Sequence, residues 1–314
     1  MVDYISFSLP NHSKALLSNP LISSSFKQES FHETGELTGV IKGNYKGLEI
    51  IIDKNKNAHI KGSIHKVFSN GKNHTDFFHE DLIYTLNLLS KELHFELQEA
   101  VIHSIEFGLN FRVNPSPSEI LSSLCIHKPK GGALLPFERR NTFSKGDYYT
   151  VARDRYTIKL YDKGKQNRLK HKTLRYEIKV TRMAHLENIG VCTLNDLVNK
   201  NVLESFAELL DEVWRQIYLK ATPGIAPKTP ASIIKKGSVE YWNSKKLELS
   251  PTKFNQDIQC YRSQVERHSK FLHENLHSAI LSKIQYLLKS HSSRINSHRS
   301  SQYESHTNSL GPSR

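Results

Sequence analysis

The sequence predicts an α+β fold with a mostly antiparallel sheet and helices on one face. Residues 156–163 and 174–180 alternate strictly between apolar and polar side chains, which is typical of strands that bury one face. A third alternating segment covers residues 101–113, and apolar residues recur at helical spacing in 82–93 and 203–220. No sequence repeat is evident, so a duplication of a ferredoxin-like unit stays open.

The fold-bearing part is expected to begin after a polar N-terminal segment. Residues 1–36 are rich in Ser, Asn, His and Lys, which predicts a loosely ordered lead-in with one short strand near residues 4–7. Apolar residues 48–52 and the segment 59–65 flank a polar turn, as in a hairpin. We therefore expect the α+β domain to span residues 37–220.

The C-terminal third has a different composition. Prolines punctuate residues 221–230, which indicates a linker. Residues 231–289 carry helical periodicity and an excess of basic side chains, so we expect a basic helical region there. The last segment, 290–314, is rich in Ser, His, Arg and Asn and is predicted to be disordered.

Charge and cysteine content narrow the classes of function. The 314 residues carry a formal net charge of +13, which favours a polyanionic partner. Three widely spaced cysteines indicate reduced thiols in a cytoplasm rather than a disulfide framework or a zinc site. The sequence has no run of 18 apolar residues and no apparent secretory signal, so we expect neither a transmembrane helix nor secretion. Of the two polyanionic partners that the charge favours, nucleic acid and an anionic membrane surface, we expect DNA and no membrane.

The polar faces of the three alternating segments carry functional groups suited to phosphate chemistry. They contribute Glu106 and Asn110, Thr157, Lys159 and Tyr161, and Arg175, Glu177 and Lys179. If the three strands are neighbours, Tyr161 lies among two carboxylates and three cations. On pattern alone, cross-strand ion pairs on a solvated surface explain the same charges at least as well.

A basic turn connects the last two strands. Lys163, Lys165, Arg168, Lys170 and Lys172 lie within ten residues without an intervening acid. Because such a loop repels itself in isolation, a phosphate partner is favoured.

Three motifs resemble those of rolling-circle replication initiators of small phages and plasmids. The first joins residues 159–166, with Tyr-Asp-Lys at their centre, to the Arg-Tyr-Glu of residues 174–178. Residues 60–68 are similar to the N-terminal part of filamentous-phage replication proteins, and residues 104–110 lie where the group has a strand with an acidic residue. Together the resemblance covers roughly residues 37–220.

The resemblance implies site-specific nicking and joining of an origin strand through a covalent tyrosyl–DNA intermediate. Tyr161 is then the nucleophile, and Glu106 and Glu177 are ligands of Mg²⁺ or Mn²⁺. Because the sequence has no His-x-His pair, the metal site is carboxylate-based or uses scattered histidines such as His65 and His103. The expected DNA contacts are Lys159, Lys163, Lys165, Arg168, Lys170, Lys172, Arg175 and Lys179.

Other interpretations stay open at this point. Tyr148, Tyr149 and Tyr156 are rival nucleophiles, although Tyr156 faces the apolar side of its strand. A non-enzymatic protein could bind single-stranded DNA or RNA on the same sheet face, through Tyr161, Tyr149 and the cations. A plain interaction scaffold is a third possibility. Expected partners are origin DNA and, as an open question, a helicase of a bacterial host.

Overall fold

A computed structural model describes residues 1–30, 34–142 and 146–289, and the predicted disordered tail lies outside this range. The predicted α+β class with a mostly antiparallel sheet is confirmed. The strands are β1 (Val2–Leu9), β2 (Lys27–Ser30), β3 (Leu37–Tyr45), β4 (Leu48–Ile52), β5 (Ala58–Ser63), β6 (Val101–Arg112), β7 (Leu124–His127), β8 (Leu135–Pro136), β9 (Glu138–Thr142), β10 (Gly146–Ala152), β11 (Tyr156–Asp162), β12 (Thr173–Val180) and β13 (Ile217–Leu219). The helices are α1 (Ser13–Leu17), α2 (Ile64–Phe68), α3 (His79–Leu93), α4 (Pro117–Ser123), α5 (Lys163–Gln166), α6 (Lys200–Arg215), α7 (Ala231–Ile234), α8 (Val239–Glu248), α9 (Pro251–His268) and α10 (Leu272–Leu288).

Ten strands form one sheet in the order β2-β3-β4-β5-β1-β6-β12-β11-β10-β9. The pairings are antiparallel. The order falls into two halves that share one arrangement. In each half a central strand, β1 or β6, is followed by a run of four consecutive strands, and the last of these returns to pair with it. The topology therefore supports a duplication, in which the repeated unit is a central strand followed by a four-strand meander.

One face of this sheet packs against the long helices. The Phe107 ring of β6 stacks on Phe206 of α6 with ring centroids 4.3 Å apart. The Tyr176 hydroxyl of β12 donates to the carbonyl oxygen of Leu210 at 3.0 Å. Helix α10 contacts both α6 and β6, and α3 buries its leucines in the same core. The alternating apolar residues of the strands thus bury one face, as their period predicts.

The expected short strand near residues 4–7 is present as β1, but the expectation of a loosely ordered lead-in around it is wrong for residues 2–9. Strand β1 lies in the middle of the sheet, between β5 and β6, and Ile5, Phe7 and Leu9 are fully buried. These three apolar residues alternate with polar ones, so a period-2 signal was present within a polar composition.

The C-terminal region is also less separate than its composition suggested. Ala221, Ala226 and Thr229 of the proline-punctuated segment are buried. Because α10 contributes Leu276 and Ile280 to the same core, this region completes the cover of the sheet. A second, three-stranded sheet in the order β13-β7-β8 lies beside the first. Within the described residues, none of the helices has the length and apolar character needed to cross a membrane.

Candidate active site

Strands β6, β12 and β11 are neighbours, and their register brings the predicted polar residues onto one face. Tyr161 pairs with Arg175, and Lys159 pairs with Glu177. On the other side of β12, Lys179 pairs with Glu106. The structure therefore places Tyr161, Glu177 and Glu106 together on three adjacent strands, on the face opposite to α6.

Arg175 lies at the centre of a buried ion network. Its guanidinium donates to Glu177 at 2.6 Å, to Asp3 at 2.8 Å and to the side-chain oxygen of Asn110 at 3.2 Å. Only 2% of Arg175 and 4% of Glu177 are exposed. Sequence reasoning missed Asp3, because it lies in the segment that was expected to be loosely ordered. Asp3 also lies at a register shift between Val2 and Tyr4, which strict alternation does not predict.

Burial and charge act in opposite directions on the carboxylates of this network. Burial alone would raise the pKa of Glu177, but Arg175 and then Lys159 hold it below its ordinary value. Asp3 shows the same balance, with Arg175 and the Ser63 hydroxyl lowering its pKa. Both carboxylates are therefore ionised at neutral pH and depend on their cationic partners.

Glu106 and Glu177 are bridged by a lysine. The Lys159 ammonium lies 3.1 Å from Glu106 and 3.6 Å from Glu177, and Lys179 also lies 3.2 Å from Glu106. A divalent ion would need the oxygens that these cations already hold. Among the described residues, no group of three or more His, Cys, Asp or Glu side chains is arranged to hold a metal ion. In this arrangement the two predicted ligands do not fit Mg²⁺ or Mn²⁺.

The Tyr161 side chain is buried next to this network. Its hydroxyl donates to the Glu177 carboxylate at 3.3 Å, and 8% of the residue is exposed. Burial and then the charge of Glu177 raise its pKa well above the ordinary value of 10. Tyr161 is therefore a neutral phenol whose proton points at a carboxylate. That geometry suits a nucleophile activated by a neighbouring base, although the hydroxyl faces the protein interior.

A loop between α2 and α3 covers the network from the polar side. The Asn73 side chain donates to Asp3 at 3.0 Å and accepts from the Lys163 ammonium at 2.7 Å. Its backbone carbonyl accepts from Asn110 at 3.2 Å. Asn73 therefore ties this loop to three residues of the polar face.

Two of the predicted DNA contacts are inaccessible in this arrangement. Arg175 and Lys163 are each 2% exposed and have their hydrogen-bond partners inside the protein. Burial and then the charge of Arg175 lower the pKa of Lys163 to about 8. The expectation that these two cations contact phosphates has to be corrected: they hold the site together instead. Alternation alone cannot distinguish a buried from an exposed polar face.

The other residues of the basic turn are exposed. The Asp162 side chain begins α5 by accepting from the backbone amide of Lys165 at 2.8 Å, which fixes the turn. Four basic side chains then point to solvent next to the covered network: Lys165, Arg168, Lys170 and Lys172. Lys159 and Lys179 remain partly exposed on the sheet face itself, at 22% and 31% of their side chains.

The remaining candidate histidines and tyrosines lie in different environments. His65, named above as a possible metal ligand, is buried and stacks on Phe77, and its ring lies 3.2 Å from the Thr75 hydroxyl. His103 is exposed rather than in the core, because a register shift between β1 and β6 turns it outward. Tyr149 pairs with Leu160 and packs against the core. Tyr148 pairs with Tyr161 and lies half-buried on the polar face.

Comparisons with known proteins return little. No family model matches the chain, and no curated protein matches it. Among solved structures, the chain is similar to a rolling circle replication initiator protein from Geobacillus stearothermophilus. The two share 12% identity at a TM-score of 0.39, over 84% of this chain and 96% of that chain. A likeness at this TM-score and identity assigns no function to this chain. The function is therefore inferred from the site.

Proposed function

We propose that this chain nicks and rejoins a DNA strand to initiate replication, with Tyr161 as the nucleophile. The observation that carries the proposal is the hydrogen bond between the Tyr161 hydroxyl and Glu177, at 3.3 Å, on a face that also carries partly exposed lysines. Covalent catalysis uses a nucleophile that is hydrogen-bonded to a base, and a third group that orients the base. Here Arg175 orients the base.

The proposed step moves one proton and exchanges one phosphorus–oxygen bond. The phenol oxygen of Tyr161 attacks the phosphorus, and Glu177 takes the phenol proton in the same step. The bond from phosphorus to the 3′-oxygen breaks, and the proton held by Glu177 passes through solvent to that oxygen, which restores the Glu177 carboxylate. The strand is left with a free 3′-hydroxyl and a 5′-phosphate on Tyr161, and the reverse step rejoins it.

The protein's own cations supply the charge that this step needs. Lys159 and Lys179 lie on the same face and can approach the non-bridging oxygens of the phosphate. The exposed turn that holds Lys165 and Arg168 can bind the flanking backbone. Dependence on Mg²⁺ or Mn²⁺ remains a prediction of the resemblance, and no step above is routed through a metal.

The test is a search for a covalent adduct. The protein is incubated with supercoiled plasmid carrying DNA from its own replicon, with EDTA, Mg²⁺ or Mn²⁺. Nicked circles and an adduct that survives SDS are expected, and mass spectrometry of the nuclease-trimmed adduct should locate the nucleotide on Tyr161. Tyr161→Phe should abolish the adduct. Tyr4→Phe is the matched control, because Tyr4 lies on the same face beside Glu106 in the register.

Other outcomes have definite meanings. A nucleotide found on Tyr148 would show that Tyr148, on the neighbouring strand, is the nucleophile. Full activity of Tyr161→Phe would contradict the proposed role of Tyr161. An adduct that forms only with Mn²⁺ would mean that a metal displaces Lys159 from the two glutamates.

A second candidate is a non-enzymatic protein that binds single-stranded DNA. The burial of Tyr161 favours it, because a phosphate cannot reach a buried hydroxyl without a local rearrangement. The exposed cations serve binding equally well. The absence of an adduct with any divalent ion, combined with tight binding of single strands, would identify this function.

A further inference from the structure

The loop of residues 69–78, between α2 and α3, shields the Lys163 ammonium from solvent. Lys163 is 2% exposed, although Lys165 on the same short helix is exposed. Its ammonium donates to Asn73 of the loop at 2.7 Å and to Gln166 of its own helix at 3.1 Å. Since Gln166 belongs to the same helix, Asn73 supplies the cover that comes from a distant part of the chain.

Side chains, rather than backbone hydrogen bonds, hold the second half of this loop. The backbone amides of residues 73–77 donate to no backbone carbonyl of the described residues. Instead, the Thr75 hydroxyl lies 3.2 Å from the His65 ring, and Asn73 bonds to the polar face. Between the loop, α10 and Arg175 lies a crevice of about 10 Å³, which is about the smallest space that admits a water molecule. A segment held in this way opens at lower cost than the sheet beneath it.

Helix α10 holds the end of the loop that leads into α3. The Lys283 ammonium forms an ion pair with Asp76, which lies 207 residues away along the chain. The ring of Tyr286 packs edge-on against Phe78 with ring centroids 5.4 Å apart, and the Lys283 ammonium lies 4.8 Å from the centroid of Tyr286. The side chains of Lys283 and Asp76 are 19% and 30% exposed, so dissolved ions reach the pair.

We infer that residues 69–78 are a movable cover over the polar face, and that the ion pair between Lys283 and Asp76 is its latch. When the pair separates, the loop releases the Lys163 ammonium, and the polar face beside it opens to solvent. A partly exposed ion pair contributes little to folding, which suits a contact that has to be released. The inference goes beyond the proposed function, because an opened face serves nicking and strand binding alike.

The experiment measures how fast acetic anhydride acetylates Lys163 in the full chain, without DNA. Mass spectrometry of lightly labelled protein compares Lys163 with Lys165, the exposed lysine on the same helix. Lys283→Met should speed acetylation of Lys163 about fivefold, the change expected when a partly exposed ion pair is lost, and should leave Lys165 unchanged. The exchanged pair, Lys283→Glu with Asp76→Lys, should restore the slow rate.

Lys245→Met is the matched control, because it removes an ion pair with Glu248 that lies within α8. Hydrogen exchange in β12 reports unfolding of the whole chain and should be the same in Lys283→Met and the wild type. Equal rates for Lys163 in the wild type and Lys283→Met would overturn the inference, as would an equal gain in Lys245→Met. Faster exchange throughout β12 would also overturn it, because Lys283 would then support the fold as a whole. Since no DNA is present, none of these results depends on whether the chain nicks DNA.

Discussion

Removal of the central guanidinium provides the sharpest test of the ion network. Arg175→Met keeps a similar length but leaves Asp3 and Glu177 buried without their shared partner. Breaking a buried pair by removing one member costs about 3–5 kcal/mol, because an uncompensated charge stays inside. Since Arg175 serves two carboxylates, we expect the free energy of unfolding to fall by about 4 kcal/mol or more.

The assay is equilibrium urea unfolding followed by circular dichroism. At pH 7 the midpoint of Arg175→Met should fall by about 1 M or more. Lys179→Met is the matched control, because Lys179 is partly exposed, forms an ion pair with Glu106 and lies over the Tyr4 ring, outside the buried Arg175 network. A partly exposed ion pair contributes about 1 kcal/mol or less, so this control should stay near the wild type.

The pH dependence gives the sign of the effect. In the wild type, the pKa values of Asp3 and Glu177 are lowered, so their stabilisation is present above about pH 4 and is lost as the pH falls further. Without Arg175, burial would raise the pKa values of Asp3 and Glu177. Protonation of these carboxyls at lower pH would then remove the uncompensated buried charges and reduce the loss of stability in the variant. The difference in free energy of unfolding between wild type and Arg175→Met should therefore be smaller at pH 5 than at pH 7. A variant as stable as the wild type at pH 7 would refute the proposed network.

Further predictions follow from single contacts. Gly108→Ala should lower the melting temperature by several degrees, because a β-carbon would lie 2.3 Å from the carbonyl oxygen of Tyr176; unchanged melting would argue against so close a strand pair. Tyr176→Phe should cost about 1 kcal/mol in urea unfolding, because the Leu210 carbonyl loses its donor; a neutral result would mean that water replaces it. Alanine at four exposed cations should reduce the salt slope of single-strand binding by about 3, and an unaltered slope would exclude the turn from the interface. These cations are Lys165, Arg168, Lys170 and Lys172.

Sequence patterns predicted which side chains share the polar face of the sheet. Strict alternation in β11 and β12 placed Tyr161, Lys159 and Glu177 on one polar face, and short connections made these strands neighbours. The turn at Asp162 followed from its residue type. These features depend on local periodicity, which a single sequence records directly.

What the sequence could not reveal depends on distant segments. Arg175 and Lys163 were expected to be exposed, but the loop around Asn73 covers them from about 90 residues away along the chain. The two glutamates carry the charge that a metal site needs, yet only the register shows that Lys159 lies between them. His103 turned outward because of a strand irregularity that alternation does not predict. Long-range cover and strand irregularities are properties of the assembled sheet.

The bond between Arg175 and Asp3 spans 172 residues of sequence and joins the two halves of the sheet. During synthesis, the second half must leave the ribosome before this bond can form, because Arg175 is absent until then. Contacts between such distant residues form slowly, since a long loop has to close first. An incomplete chain that ends before β12 therefore lacks both the nucleophile's base and the arginine that orients it. The proposed cutting activity would therefore require synthesis at least through β12.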